Sequence, residues 1–213
     1  VTAERPGAAL DLLAGLVMAD GRRWGDAALP WQWADARAVL GGERRLCYLT
    51  RPRGASKTSD LAAMVIAALV GQLPAASRSY AVAVDRDQAA LILDAIGGFL
   101  SRTPAVRALL KVESWKVTNL SSGATLEVLA ADAPGAFGLL PHLLVVDEFA
   151  AWPTTPGPRL LWSALFSALP KVAGSRLAIL TTAGDPAHPS GQLIARARTS
   201  PRWYVSEVPG PCP

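Results

Sequence analysis

Residues 45–73 read RLCYLTRPRGASKTSDLAAMVIAALVGQL: a short apolar run, a polar turn, then a long apolar stretch. Arg45–Thr50 has the composition of a buried strand, and from Thr58 to Leu73 the apolar pattern is that of a helix. A polar loop joining such a strand to a helix is the setting of a phosphate-binding loop. Backbone N–H groups and the helix N-terminus cradle the anion, a lysine reaches the outer phosphates, and the next hydroxyl holds magnesium. Lys57 and Thr58 stand in those last two places. Arg51 and Ser56 stand where such loops usually carry glycine. Taken alone, the stretch fits an ordinary strand–loop–helix with a surface lysine equally well.

A second stretch decides between the two. His142–Glu148 reads HLLVVDE, an apolar strand delivering two adjacent carboxylates at its tip. Neighbouring residues at a strand end point in different directions, so the two acids can take different tasks. Asp147 can hold hydrated magnesium while Glu148 polarises an attacking water. The plain alternative, acids in a turn or helix cap after a strand, is common. It does not explain the strand–loop–Lys–Thr–helix upstream.

The remaining pattern supplies a sheet to carry both stretches. Tyr80–Val84 and Arg176–Thr182 read as further buried strands and Trp203–Glu207 as a last one. Val112–Asn119 and Thr125–Ala130 read as two strands joined by the turn Ser121–Ser122–Gly123. Helical segments fall near Ala8–Ala19, Trp33–Leu40, Asp87–Leu100, Pro158–Leu169 and Gln192–Arg198, with Arg22–Pro30 as a polar connector. Strands alternating with helices predict an α/β fold, a mostly parallel sheet with helices on both faces. Ligands of such sheets sit at the carboxyl ends of the strands. The residues after Thr50, Val146 and Leu180 therefore converge on one edge.

Composition narrows the class without naming it. With 213 residues, 51% hydrophobic and 18% charged, the chain is long and apolar enough for one well-packed domain rather than a disordered segment. Two cysteines, Cys47 in an apolar run and Cys212 near the end, form neither a disulfide framework nor a metal-ligand spacing. His142 and His188 have no metal-ligand partner four residues on. The longest apolar run, Leu61–Val70, is about half of a membrane span. Net charge is +4, from 17 Arg and 4 Lys against 17 acids, which permits contact with nucleic acid but draws no basic stripe. Arg196, Arg198 and Arg202 form the densest late cluster, which a solvated helix face explains as well. The chain opens on Val1 rather than Met and is read as an excised domain.

Together these motifs resemble the ATPase domain of the large terminases of tailed phages. That family carries an arginine four residues before the loop lysine, as Arg53 stands before Lys57, and PRGASKT is similar to its P-R-G-x-G-K-[ST] loops. LPWQ (Leu29–Gln32) resembles the family's adenine motif, and Thr181–Thr182–Ala183 its coupling motif. Leu129–Trp152, with Gly-Leu-x-Pro just before the acidic strand, is also similar. The resemblance runs from about Pro30 to Ala183.

The resemblance implies a P-loop NTPase fold of the additional-strand, catalytic-glutamate type. It implies a helical lead-in at 1–42 with the adenine motif, an ATPase core at 43–208, and a tail or linker start at 209–213. The expected ligands are ATP and Mg2+. Gln32, Arg51, Arg53, Gly54, Ala55, Ser56, Lys57, Thr58 and Ser59 are the expected nucleotide contacts, and Thr58 and Asp147 the magnesium ligands. Arg53 and Lys57 would stabilise phosphate charge, Glu148 would activate water, and Thr181 and Thr182 would couple hydrolysis to movement. Implied partners are double-stranded DNA, a portal protein, a small terminase subunit and further copies in a ring, a pentamer by resemblance, in the host cytoplasm and without a membrane. Two rivals share parts of the pattern: a helicase-type translocase lobe, and a non-catalytic DNA or assembly module with a decayed loop.

The departures are specific. Ser56 puts a side chain where backbone and phosphate come closest. Many family members carry a trans-acting arginine before the acidic strand, but Ala131–Pro141 has none, leaving Arg102, Arg107 and Arg159 as candidates. No acidic nuclease cluster follows the motor motifs, so no nuclease activity is expected from this chain.

Overall fold

The computed structural model describes residues 6–131 and 138–210. In chain order its first half comprises α1 (Pro6–Gly15), α2 (Trp24–Ala27), α3 (Pro30–Gly41), β1 (Leu46–Thr50), α4 (Lys57–Gly71), β2 (Arg78–Ala83), α5 (Arg86–Arg102) and α6 (Pro104–Arg107). Its second half comprises β3 (Leu110–Glu113), β4 (Lys116–Asn119), β5 (Thr125–Ala130), β6 (Leu143–Asp147), α7 (Pro156–Ala168), β7 (Arg176–Thr181), α8 (Pro189–Arg198) and β8 (Trp203–Glu207).

The strands form one sheet in the order β3-β4-β5-β2-β6-β7-β1-β8. From β5 to β8 every pairing is parallel, and β3 and β4 add an antiparallel flap at one edge. β7 lies between β1, which enters the phosphate loop, and β6, which ends in the acids. That intercalated strand is the additional-strand arrangement expected from the motifs.

The inner strands read as continuous apolar runs because both of their faces are covered. Alternate residues go to two separate cores. Cys47, Leu49, Ala81, Ala83, Leu143, Val145, Ala178 and Leu180 pack on one side with α1, α3, α4 and α5. Tyr48, Tyr80, Val82, Leu144, Val146, Leu177 and Ile179 pack on the other with Trp152, Leu161, Leu165 and Trp203. On the α4 side, Ala178 of β7 lies under that helix, which itself presents Ala62, Ala63, Ala67 and Ala68, all fully buried. Small residues on both surfaces let α4 lie close to the sheet, and α4 carries Lys57 and Thr58 on its first turn.

Two stretches differ from their sequence reading. Val112–Asn119 is not one strand but the facing ends of β3 and β4, paired Leu110 to Asn119 and Glu113 to Lys116. β3 is an edge strand exposed along most of its length, so no continuous apolar run marks where it ends. The connector Arg22–Pro30 contains α2, anchored by the buried indole of Trp24, whose Nε1 donates to Asp60 at 3.0 Å. The tail expected at 209–213 falls mostly on residues 211–213, outside the described residues, as do Cys212 and residues 132–137 of the similar stretch before β6.

Candidate active site

β1 ends at Thr50, and the loop returns as α4 at Lys57. Two residues turn it. Gly54 has φ +80, and Ser56, the N-cap of α4, is left-handed at φ 51 and ψ 23. Ser56 thus adopts the backbone of the glycine it replaces, at a cost of roughly 1–2 kcal/mol for a residue with a Cβ. Arg53, Gly54, Ser56 and Ser59 are exposed, Thr58 is half-buried, and Ala55 is buried beneath the loop.

Lys57 is buried, and its Nζ reaches two partners: it donates to Pro52 O at 3.1 Å and pairs with Glu148 Oε1 at 3.1 Å. The other carboxylate oxygen of Glu148 accepts from Thr182 N at 2.9 Å and Thr182 Oγ1 at 3.1 Å. Glu148 is itself left-handed, at φ 47 and ψ 48, immediately after β6. Thr181 Oγ1 accepts from Ala150 N at 2.9 Å and so pins the backbone just beyond Glu148. The loop lysine, the acid just after β6, and Thr181 and Thr182 at and just past the end of β7 therefore form one contiguous cluster. β7 brings them together because it lies between the other two strands.

Asp147 is buried beside this cluster, close enough to feel the charges of Lys57 and Glu148. It is 2% exposed, and its Oδ1 has no hydrogen-bond partner among the described residues. Burial, with Glu148's charge beside it, pushes its carboxyl up to about 6 against the opposing pull of Lys57. A buried carboxylate oxygen without a partner, together with a hydroxyl at the start of α4, suits magnesium. That ion takes one or two protein oxygens and completes its shell with phosphates and water. Among the described residues no cluster of three or more acidic, histidine or cysteine side chains offers an all-protein metal site.

Two expected nucleotide contacts are placed differently. Arg51 is buried, with its guanidinium ion-paired to Asp35 Oδ2 and bonded to Ser206 O at 2.9 Å and Ser206 Oγ at 2.8 Å. Trp31 lies over that guanidinium at 4.6 Å, and Arg51 N donates to Thr181 O. The side chain that replaces a loop glycine turns inward, tying α3, β1 and β8 together. Gln32 is also held inside the chain: its Oε1 accepts from Leu29 N at 2.8 Å, capping α3, and its Nε2 donates to Asp60 at 2.8 and 3.0 Å. Asp60, which the motifs do not single out, is buried, and that burial pushes its carboxyl up to about 6. His188 caps α8 through Ser190 N, its other ring nitrogen 2.9 Å from Trp152 O, so it has a local structural role.

The parallel sheet with β7 between β1 and β6, a phosphate loop after β1 and paired acids after β6 define the P-loop NTPase fold of the additional-strand type. Residues 41–191 match the family of the terminase large subunit, ATPase domain, and the chain belongs to that family. The large terminase of bacteriophage HK97 shares the fold at a TM-score of 0.82 and 18% identity, covering 95% of this chain and 43% of that one. This chain thus spans less than half the length of that protein. The ATPase domain of the Thermus phage P74-26 large terminase aligns at 0.64 and 14% identity, covering 81% of this chain and 78% of that one. A large terminase from a thermophilic bacteriophage, in complex with ADP, aligns at 0.52 and 12% identity, covering 86% of this chain and 40% of that one. No curated protein matches the chain. Among the described residues no helix is long and apolar enough to cross a membrane.

Proposed function

We propose that this domain hydrolyses Mg·ATP and uses the energy to drive double-stranded DNA into a procapsid. The observation that carries the reading is the Lys57–Glu148–Thr182 contact. It joins the phosphate-binding lysine, the acid that would activate water and the strand end that would report on the γ-phosphate.

The chemistry follows from those groups. A bound triphosphate competes for the Lys57 ammonium and releases Glu148 Oε1, while Thr182 still holds Oε2. The freed oxygen accepts a proton from water placed in line with the γ-phosphate. Arg53, exposed on the loop, adds positive charge beside the phosphates, with backbone N–H groups of residues 54–59 around them. Thr58 and Asp147 would hold magnesium, which when bound neutralises charge developing on the phosphate oxygens. Loss of the γ-phosphate lets Lys57 return to Glu148. The movement passes to Thr182, and through Thr181 to the backbone at Ala150.

Portal protein, small subunit and further copies in a ring, in the host cytoplasm, complete the proposal. The ADP held by the terminase of the thermophilic phage supports the choice of nucleotide. The test is titration of Mg·ATP into wild type and Lys57→Ala. The expected outcome is binding by wild type and a loss of affinity of at least about 10-fold in the variant, the scale of one charge-assisted contact. Equal affinity would reject the loop as the phosphate site.

A further inference from the structure

The parallel strands of this sheet start at one edge and end at the other, and the two edges differ in charge. Arg78 opens β2, Arg176 opens β7, Arg44 and Arg45 lead into β1, and Arg202 directly precedes β8. At the far edge Asp85 follows β2, Asp147 ends β6 with Glu148 after it, Asp185 follows β7 and Glu207 ends β8. The sequence draws no basic stripe because each cation stands before a different strand, and folding lines them up. From β8 to β2 the row crosses four strand spacings, about 19 Å.

A cleft of about 750 Å³ opens along one half of this row. Leu46, Leu169 and Val172 supply its apolar part, and Arg44, Arg45 and Arg202, all exposed, supply its charge. Glu43 is the one acid among the described residues that line it. Lys171, also exposed, lies between the lining residues Pro170 and Val172. Arg44 donates to Trp203 O at 3.1 Å. The side chains of Arg45, Lys171 and Arg202 enter no hydrogen bond or ion pair among the described residues. The cations crowd one another: burial, with repulsion from Arg45 added, holds the Arg176 guanidinium below the ordinary arginine range. Cations gathered without acids to pair them mark a surface for an anionic partner.

We propose that this edge grips the phosphate backbone of double-stranded DNA, with Arg45, Lys171 and Arg202 contacting phosphates. The proposal rests on the packaging reading above and puts the DNA at the end of the sheet opposite the phosphate loop. A duplex carries one charge about every 1.7 Å of its axis, so an extended row meets several phosphates whatever the base sequence. An acidic peptide would need only the cleft and would leave Arg78 unused. Guanidinium groups suit phosphate oxygens because they bond them in pairs. Two rigid elements tie this edge to the hydrolysis site. β7 runs from Arg176 to Thr181, whose hydroxyl pins the backbone beyond Glu148. Arg176 also donates to Val39 O and Ala38 O at 2.8 Å and to Gly42 O at 2.6 Å, fastening the end of α3. The other end of α3 carries Gln32, bonded to Asp60 on the first turn of α4. A shift of either element at the nucleotide end therefore reaches the edge that holds DNA.

The experiment is fluorescence anisotropy of the whole chain with a labelled duplex of mixed sequence, across a salt series and without nucleotide. The triple variant Arg45→Ala, Lys171→Ala, Arg202→Ala is expected to bind at least about 10-fold more weakly, with the slope of log affinity against log salt shallower by roughly 2–3. The single variants, each expected to change that slope by about 1, keep the test open should the triple variant fail to fold. A second triple variant, Arg86→Ala, Lys111→Ala, Lys116→Ala, removes the same charge from the start of α5 and the β3–β4 flap. Its affinity should stay within about twofold of wild type. Equal losses in the two triple variants would mean that binding follows net charge, and no loss in the first would place the DNA elsewhere. Either result overturns the proposal and leaves standing the ATPase reading, which Mg·ATP titration tests separately. Polyglutamate is the second probe: a wild type that binds it more tightly than duplex marks the edge as a seat for an acidic protein and overturns the DNA assignment. A wild type that binds no duplex at all removes the DNA reading of the domain together with this surface.

Discussion

Ser56 and Glu148 are left-handed residues with side chains, and each flanks the position where a triphosphate would lie. Strain of this kind persists where surrounding structure over-determines it. At Ser56 the strain and the closest approach to phosphate coincide. Ser56→Gly should therefore bind Mg·ATP at least as tightly as wild type. It should also gain up to about 1 kcal/mol of stability, since relieving the left-handed strain outweighs glycine's added chain entropy. Nucleotide titration and denaturant unfolding check both parts, and a clear loss of affinity would mean the hydroxyl makes a contact of its own. Asp60 gives a pH-dependent counterpart. Burial raises its folded-state value to about 6, opposed by hydrogen bonds from Gln32 and Trp24 and by the charge of Arg51. An unfolded aspartate titrates near 4, so between these values the folded chain holds the extra proton. Acidification from pH 7 to 5 then adds stability through this group, and the gain disappears above pH 6. Unfolding of the magnesium-free protein should show a larger gain in wild type than in Asp60→Asn. Equal gains would show that Asp60 does not titrate there.

At the scale of elements, the buried Arg51–Asp35 pair holds three of them: α3, the start of the phosphate loop and β8. Tyr204 of β8 adds a hydrogen bond to the other Asp35 oxygen at 3.2 Å. Removing one member of such a pair leaves an uncompensated buried charge, so Asp35→Ala should cost about 3 kcal/mol or more. Urea unfolding measures it; a loss below about 1 kcal/mol would mean that Arg51's remaining contacts suffice. This pair also marks where the sequence stops being readable. The inner strands are legible because burial on both faces leaves uninterrupted apolar runs, and the motifs fall at their carboxyl ends for the same topological reason. Spacing gives the positions of Arg51 and Gln32 but not their direction, and both turn into the chain. The β3–β4 break is hidden because an edge strand needs no apolar alternation. Asp60 carries no local signal, because a single acid on a helix is ordinarily solvated and only folding sets it against Trp24 and Gln32. The hydrogen bond from Arg102 to Val17 joins residues far apart in sequence, which no local pattern records.

For the whole molecule, the acidic tip of β6 is met by Lys57, with no arginine paired to Glu148 among the described residues. Arg102 is tied to Val17 within the chain, whereas Arg107 and Arg159 are both exposed and remain as donors to a neighbour. The isolated chain should then be monomeric or weakly associated and turn over slowly. Added copies on a portal and DNA should raise the rate by roughly 10³-fold, the lower end of an arginine finger's effect. Sedimentation paired with turnover across a wide concentration range tests this. A stable oligomer at low concentration with fast, concentration-independent hydrolysis would show that one chain completes its own site. Everything else depends on a narrower point: Glu148, poised between Lys57 and Thr182, performs chemistry rather than binding. Steady-state ATP turnover and ATP affinity, measured side by side for wild type and Glu148→Gln, decide it. The expected outcome is retained affinity with turnover lower by roughly 10²-fold or more, the scale of a lost general base. Near-normal turnover in that variant would remove Glu148 from the chemistry.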